Sequence, residues 1–219
     1  MNTIYNFVSG PLVWAAFIIF IGGCIYRLFS MGILAAKRDT PVYAYASFYY
    51  GMRSILRWLT PFATTNMRSH PAMTVVTFVF HFCLLAAPIF VYGHIALVNE
   101  SWNLSWWHLP DGAADFMSVL VVGACVFFMI RRMKNPEVKF LTSSSDYVIL
   151  AVVAAPFITG FWTYHQWPGY NISGILHILS GEIMLVAIPF TRLSHMIFFP
   201  FTRGYIGSEF GAVRHVQDW

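Results

Sequence analysis

Five apolar stretches leave this chain few ways to fold. They run from about Val8 to Phe29, Pro71 to Leu97, Ala114 to Ile130, Tyr147 to Trp162 and Ile172 to Phe199. A helix needs about 20 mostly apolar residues to cross the hydrocarbon core, and backbone in lipid must satisfy its own hydrogen bonds. The expectation is an all-α membrane protein with five transmembrane helices. It forms a single domain over residues 1–219 that includes an interfacial segment at 30–70. Charged residues make up 10% of the chain, against about 25% in soluble domains. Five spans leave no room in 219 residues for a large soluble domain. The N-terminal apolar run is long enough to span and lacks a basic leader and a small-residue cleavage site, so no cleavable signal is expected.

The cations set the orientation. Arg27, Lys37, Arg38, Arg53, Arg57 and Arg68 lie at or between the ends of the first two stretches. Arg131, Arg132, Lys134 and Lys139 lie between the third and fourth, and Arg192, Arg203 and Arg214 lie at the end of the fifth and beyond. With five spans all 13 Lys and Arg fall on one side. The positive-inside rule then places the N-terminus outside and the C-terminus in the cytoplasm of a bacterial inner membrane. Cations that flank spans form no basic stripe, so nucleic acid is excluded as a partner. Cys24, Cys83 and Cys125 fall in separate apolar runs with no zinc or iron–sulfur spacing, and read as small buried residues.

Trp102, Trp106, Trp107 and His108 in the second loop form an interfacial aromatic belt. Pro41 to Leu59 mixes aromatics with Arg53 and Arg57; it reads as a helix lying in the inner interface, a docking surface for a cytoplasmic partner, or both. Asp146, after Thr142-Ser143-Ser144-Ser145, reads as the N-cap of the fourth helix. Pro88 and Pro156 should kink or bulge their helices.

Histidines carry the chemistry. His177 and His195 are eighteen residues apart in the fifth stretch. On one continuous helix that is five turns, which puts both imidazoles on one face about 27 Å apart. The second stretch carries His81 and His94, thirteen residues apart. That spacing is about 140° out of phase on an ideal helix, with Pro88 between them to change it. Antiparallel runs pair His81 with His195 and His94 with His177. Two helices with two histidines each can hold two stacked haems. Bis-imidazole ligation leaves no open iron position, so such haems carry electrons. His70, eleven residues before His81, is the competing ligand, although it precedes Pro71 at the very start of its span. Glu182, five residues after His177, is either a structural hydrogen-bonding group or a proton acceptor near a quinone or the outer haem. Arg192 either pairs with a haem propionate or snorkels to the interface. His165 belongs to the outer interface or faces a quinone, and His108 and His215 are loop and tail residues.

On these residues the chain resembles a known family. The matching pieces are Phe80-His81 and Gly93-His94, then Arg131-Arg132 with Pro136, Val138, Lys139, Thr142, Ser143 and Asp146, and Leu176-His177 through Pro189-Phe190-Thr191-Arg192-Leu193-Ser194-His195. They are similar to the diheme cytochrome b (gamma) subunit of respiratory nitrate reductase. They are closer to the small subunits of sulfate-reducer transmembrane redox complexes and of membrane-bound heterodisulfide reductases. Trp106 to Gly112 and Gly207-Ser208-Glu209-Phe210 resemble the sulfate-reducer branch.

The resemblance implies five helices, two b-type haems held by His81 with His195 and His94 with His177, and a quinone site near the outer haem, with menaquinone as its candidate ligand. Gly93, in the matching Gly93-His94 piece, joins Glu182, Arg192 and His70 as further candidate cofactor-binding residues. The expected function is an electron-transfer subunit, not an enzyme alone, that links a quinone pool or a periplasmic multihaem cytochrome c to a cytoplasmic iron–sulfur subunit. Two departures stand out. The span-two histidines are three residues further apart than in the nitrate reductase subunit, and the outer loop lacks that subunit's lysine. The competing expectation is a haem-free membrane anchor for a redox partner.

Overall fold

The computed structural model describes residues 2–38 and 42–219. Pro41 and the side chain of Tyr43, both in the expected interfacial stretch, lie outside the described residues. The chain is 84% helical, with no strand among the described residues. The main helices are α1 (Thr3–Arg38), α2 (Phe48–Leu59), α3 (Pro71–Phe90), α4 (Tyr92–Trp102), α5 (Asp111–Lys134), α6 (Ser144–Tyr164), α7 (Tyr170–Phe190) and α8 (His195–Ser208). Five of them, α1, α3, α5, α6 and α7, are long and apolar enough to cross a bilayer. The protein is an all-α, multi-pass membrane protein. Large apolar side chains such as Ile18, Tyr26, Phe29 and Phe82 are exposed along these helices, as lipid contact requires.

Two of the expected spans are broken. The second stretch ends as a helix at Phe90; Val91 is extended (φ −72°, ψ 132°) and α4 begins afresh at Tyr92. The cause is upstream, where Pro88 supplies no N–H to the helical ladder. The fifth stretch ends at Phe90's counterpart, Phe190; Thr191 is extended and Arg192–Ser194 form a single 3₁₀ turn before α8 starts at His195. Pro189, fully buried, precedes that break. Its ring sits where a side chain on Gly23 would go, since a Cβ there would lie 2.8 Å from the proline Cγ. His177 and His195 therefore do not share a helix, nor do His81 and His94. Counting whole turns between them does not describe their geometry.

Other boundaries move less. α6 is 21 residues long, enough to span, where the apolar run alone looked short. Its N-cap is Ser143, not Asp146. Asp146 sits three residues inside and completes a capping box: its Oδ2 accepts from the Ser143 N–H at 2.8 Å and from the Ser143 hydroxyl at 3.0 Å. Arg132 lies 3.7 Å from the other carboxylate oxygen.

The chain forms two compact units. Residues 1–11 and 76–184 make the first, and residues 12–75 and 185–219 the second. In the first, α5 and α6 pack along each other. Hydroxyls tie α6 to α7: Ser173 donates to the Thr159 carbonyl at 3.0 Å, and Ser180 meets the Thr159 hydroxyl at 3.3 Å. Small hydroxyl residues suit helix pairs in lipid, where backbones must approach closely. Gly169 (φ +84°) makes the turn between these helices, a conformation that favours glycine.

In the second unit α2 packs on α8 through small residues. A Cβ on Gly51 would stand 3.2 Å from the Gly204 Cα, and one on Gly207 would strike Ser54 and the Tyr50 carbonyl. The opposite face of α2 exposes Phe48, Leu56 and Leu59. That two-faced helix fits the expected interfacial segment. The last residues fold back on the same pair. Asp218, almost fully buried, accepts from the Ser54 hydroxyl at 2.5 Å and lies 3.6 Å from Arg203. Trp219 stacks beneath the guanidinium groups of Arg53 and Arg57, 4.7 and 5.3 Å from its ring.

Candidate functional site

The break at Val91 frees three carbonyls that a continuous helix would have used, and each finds a new donor. His94 donates from Nδ1 to the Pro88 carbonyl at 2.7 Å. The Trp106 indole N–H reaches the Ile89 carbonyl at 2.9 Å. The Leu109 backbone N–H reaches the Phe90 carbonyl at 2.8 Å. The proline, the interruption and the tryptophan loop thus form one device that sets where His94 points. Orphaned carbonyls in an apolar setting are costly, so the device is held by the same rule that keeps helices intact in lipid.

His177 meets His94 from α7. The two rings are 5.9 Å apart between centroids and 17° from parallel. His177 donates from Nδ1 to the Pro156 carbonyl of α6 at 2.9 Å. Its ring lies over Gly160, one turn further along α6; a Cβ there would be 2.8 Å from the imidazole Cε1. Pro156 and Gly160 together make a notch in which the imidazole sits.

A carbonyl oxygen only accepts, so both rings carry their proton on Nδ1 and keep the lone pair on Nε2. That is the tautomer a metal needs, and a backbone acceptor on the other nitrogen is the usual means of orienting a ligating histidine. The donor set, two neighbouring imidazoles whose Nδ1 protons are committed to backbone carbonyls, suits a metal-bearing group that takes histidine ligands. Among the described residues no three His, Cys, Asp or Glu side chains gather around a bare ion.

His81 and His195 follow the same rule locally. His81, on α3, donates from Nδ1 to the Thr77 carbonyl at 2.8 Å and meets Phe80 edge-on. His195, first residue of α8, donates to the Arg192 carbonyl at 2.8 Å. His81 belongs to the first unit and His195 to the second.

No family model matches the chain. A protein of Nitratidesulfovibrio vulgaris is 36% identical to it over 214 residues, which cover 96% of this chain and 95% of that one. The two proteins belong to one family. That relative carries no functional name, so kinship transfers the fold and no activity. At this identity over nearly the full length, the members of the family share one helical scaffold.

The remaining expected residues fall as follows in this member. Gly93 is exposed, adjacent to His94, with open space where a Cβ would be. Glu182 is buried in α7, and neither carboxyl oxygen has a hydrogen-bond partner among the described residues. Arg192 sits in the 3₁₀ turn whose carbonyl orients His195. His70 is exposed, caps a short helical turn and reaches the Asn66 carbonyl at 3.2 Å.

Sequence reasoning missed four participants. Gly160 and the Pro156 carbonyl were visible only as a Pro-x-x-x-Gly spacing that places both on one helix face. Trp106 read as an interfacial belt residue, although it is half of the helix-break lock. Asp115 carries no sequence signal that ties it to His165, whose Nε2 lies 3.0 Å from its carboxylate oxygen at the start of α5.

Proposed function

We propose that this protein is the diheme cytochrome b subunit of a membrane-bound respiratory oxidoreductase complex. One observation carries the reading: His81, His94, His177 and His195 each donate Nδ1–H to a backbone carbonyl, at 2.7–2.9 Å. Four imidazoles with the same tautomer, three of them half-buried and His195 exposed at the start of α8, on interrupted helices of a membrane protein, are prepared as metal ligands. The likeness of the surrounding motifs to the nitrate reductase gamma subunit supports the same reading.

In this reading His94 and His177 hold one haem b and His81 and His195 hold the other. Such haems, when bound, would supply one-electron transfer. The residues of the chain do the rest. Pro88, Ile89 and Phe90 offer the carbonyls that aim His94 and its loop, and Pro156 and Gly160 seat His177. Arg192 holds His195 through its carbonyl and offers a cation for a propionate. Glu182 is the candidate proton acceptor beside the outer pair, because a carboxyl buried in a span without a partner is costly to retain unless it is used.

The complex would sit in a bacterial cytoplasmic membrane with the outer pair toward the periplasm. It would exchange electrons between a quinone such as menaquinone, or a periplasmic multihaem cytochrome c, and a cytoplasmic iron–sulfur subunit. That subunit would dock on the face formed by α2 and the residues after α8.

The test is a pyridine haemochrome assay with reduced-minus-oxidised spectra on the purified protein. Two b-type haems per chain are expected. A preparation of intact, folded protein with no b-type bands rejects the reading in favour of a haem-free anchor.

A further inference from the structure

The cytoplasm-facing end of α5, as the cations orient it, carries three cations with two different fates. Arg132 turns to its own unit, toward Asp146 at 3.7 Å and the Thr142 hydroxyl at 3.3 Å. Arg131 and Lys134, three residues apart and so neighbours on one face, meet no carboxylate among the described residues. Both line a cavity of about 620 Å³ that is a shallow groove open to the surroundings. Its other walls include Phe127 and Ile130, each one helical turn before one of these cations, and the single carboxylate of Glu137.

The cavity is therefore graded along the helix axis. It is apolar where α5 is still inside its membrane-spanning length and cationic where the span ends at Lys134. Two cations and one carboxylate leave a net lining charge of +1 (2 − 1), which balances one phosphodiester. The C-terminal end of a helix dipole also favours positive side chains at this position. A water-soluble acidic peptide cannot reach the Phe127–Ile130 wall without entering hydrocarbon, whereas a lipid is already there.

We infer that this cavity is a binding site for a monoanionic glycerophospholipid, with the phosphate on Arg131 and Lys134 and an acyl chain along Phe127 and Ile130. The site is independent of haem and needs neither a partner subunit nor turnover.

The experiment titrates the purified full-length protein in detergent with phosphatidylglycerol, phosphatidylcholine and cardiolipin, and reads retained lipid by native mass spectrometry. The wild type should keep phosphatidylglycerol in preference to phosphatidylcholine. Phosphatidylglycerol should match or exceed cardiolipin per phosphate. Arg131→Gln with Lys134→Gln should weaken its retention roughly tenfold or more, as expected for losing two cations at a membrane surface. The charge-keeping pair Arg131→Lys with Lys134→Arg should retain it, which excludes misfolding as the cause. Lys139→Gln, a nearby cation outside the cavity, should change nothing. Three outcomes overturn the site: undiminished retention in the double Gln variant, an equal loss in Lys139→Gln, or displacement of the lipid by an equal concentration of soluble glycerol phosphate. The last would mean a headgroup-only anion site without the acyl wall.

Discussion

Gly160 lies directly beneath His177, and a side chain on it would come within 2.8 Å of the imidazole Cε1 and 3.0 Å of Nδ1. The contact matters because Nδ1 is also the atom that donates to the Pro156 carbonyl. The glycine and the carbonyl together leave His177 one position on α6. Gly160→Ala should push the ring out of its notch, with an overpacking cost of about 1–3 kcal/mol. Thermal unfolding in detergent measures the cost. Haem content measures the chemistry, and one of the two b-type signals should fall while the other stays.

His94 and His177 should behave as one unit. If they share a haem, His94→Ala, His177→Ala and the double variant should each lose the same spectral component, with no further loss in the double. His81→Ala should lose the other component. Quantified pyridine haemochrome on the four variants decides this, and additive losses from His94→Ala and His177→Ala would show that the two rings serve different haems.

Trp106 should act on His94 without touching it. Its indole N–H satisfies the Ile89 carbonyl at the break between α3 and α4, next to the Pro88 carbonyl that holds His94. Trp106→Phe keeps the apolar ring and removes the donor, at a cost of about 1 kcal/mol. Hydrogen exchange at the Leu109 amide, which bonds the next carbonyl, should accelerate roughly fivefold, and the spectral component assigned to His94 should broaden. An unchanged exchange rate at Leu109 would mean that the loop is held by other contacts.

The terminal segment should hold α2 on α8. Asp218 is bonded to Ser54 and paired with Arg203, whose guanidinium also covers the Trp58 ring at 4.4 Å. Asp218→Ala removes a buried anion and leaves Arg203 uncompensated, a loss of about 3 kcal/mol by analogy with other broken buried pairs. Limited proteolysis should then cut within 42–60 at concentrations of protease that leave the wild type intact. Trp219→Ala should have a smaller effect in the same direction, since it removes two cation–π contacts worth about 0.5–1 kcal/mol each.

Much of this architecture was legible without coordinates. Five apolar runs and the one-sided placement of cations required five membrane-crossing helices, because backbone cannot remain unpaired in hydrocarbon. The four histidines stood out for a similar reason: ionisable groups are scarce where their burial is costly. What the runs did not disclose was where they break. Val91 and Thr191 are ordinary residues in apolar or near-apolar surroundings, and the first interruption depends on donors that arrive from elsewhere in the chain. Trp106 and Leu109 supply such donors at Val91, whereas the break at Thr191 is capped locally, its side chain accepting from the Leu193 N–H at 3.2 Å.

The sequence by itself determined the class of protein and the number of helices long and apolar enough to cross a membrane, since these follow from hydrophobicity and length summed along the chain. Tertiary structure alone decided that each histidine pair straddles a helix break, that Pro156 and Gly160 of a neighbouring helix seat His177, and that Asp218 and Trp219 close over α2. Those outcomes rest on groups far apart along the chain, Ser54 and Asp218 being 164 residues apart, and contacts of that range exist only once the helices have packed.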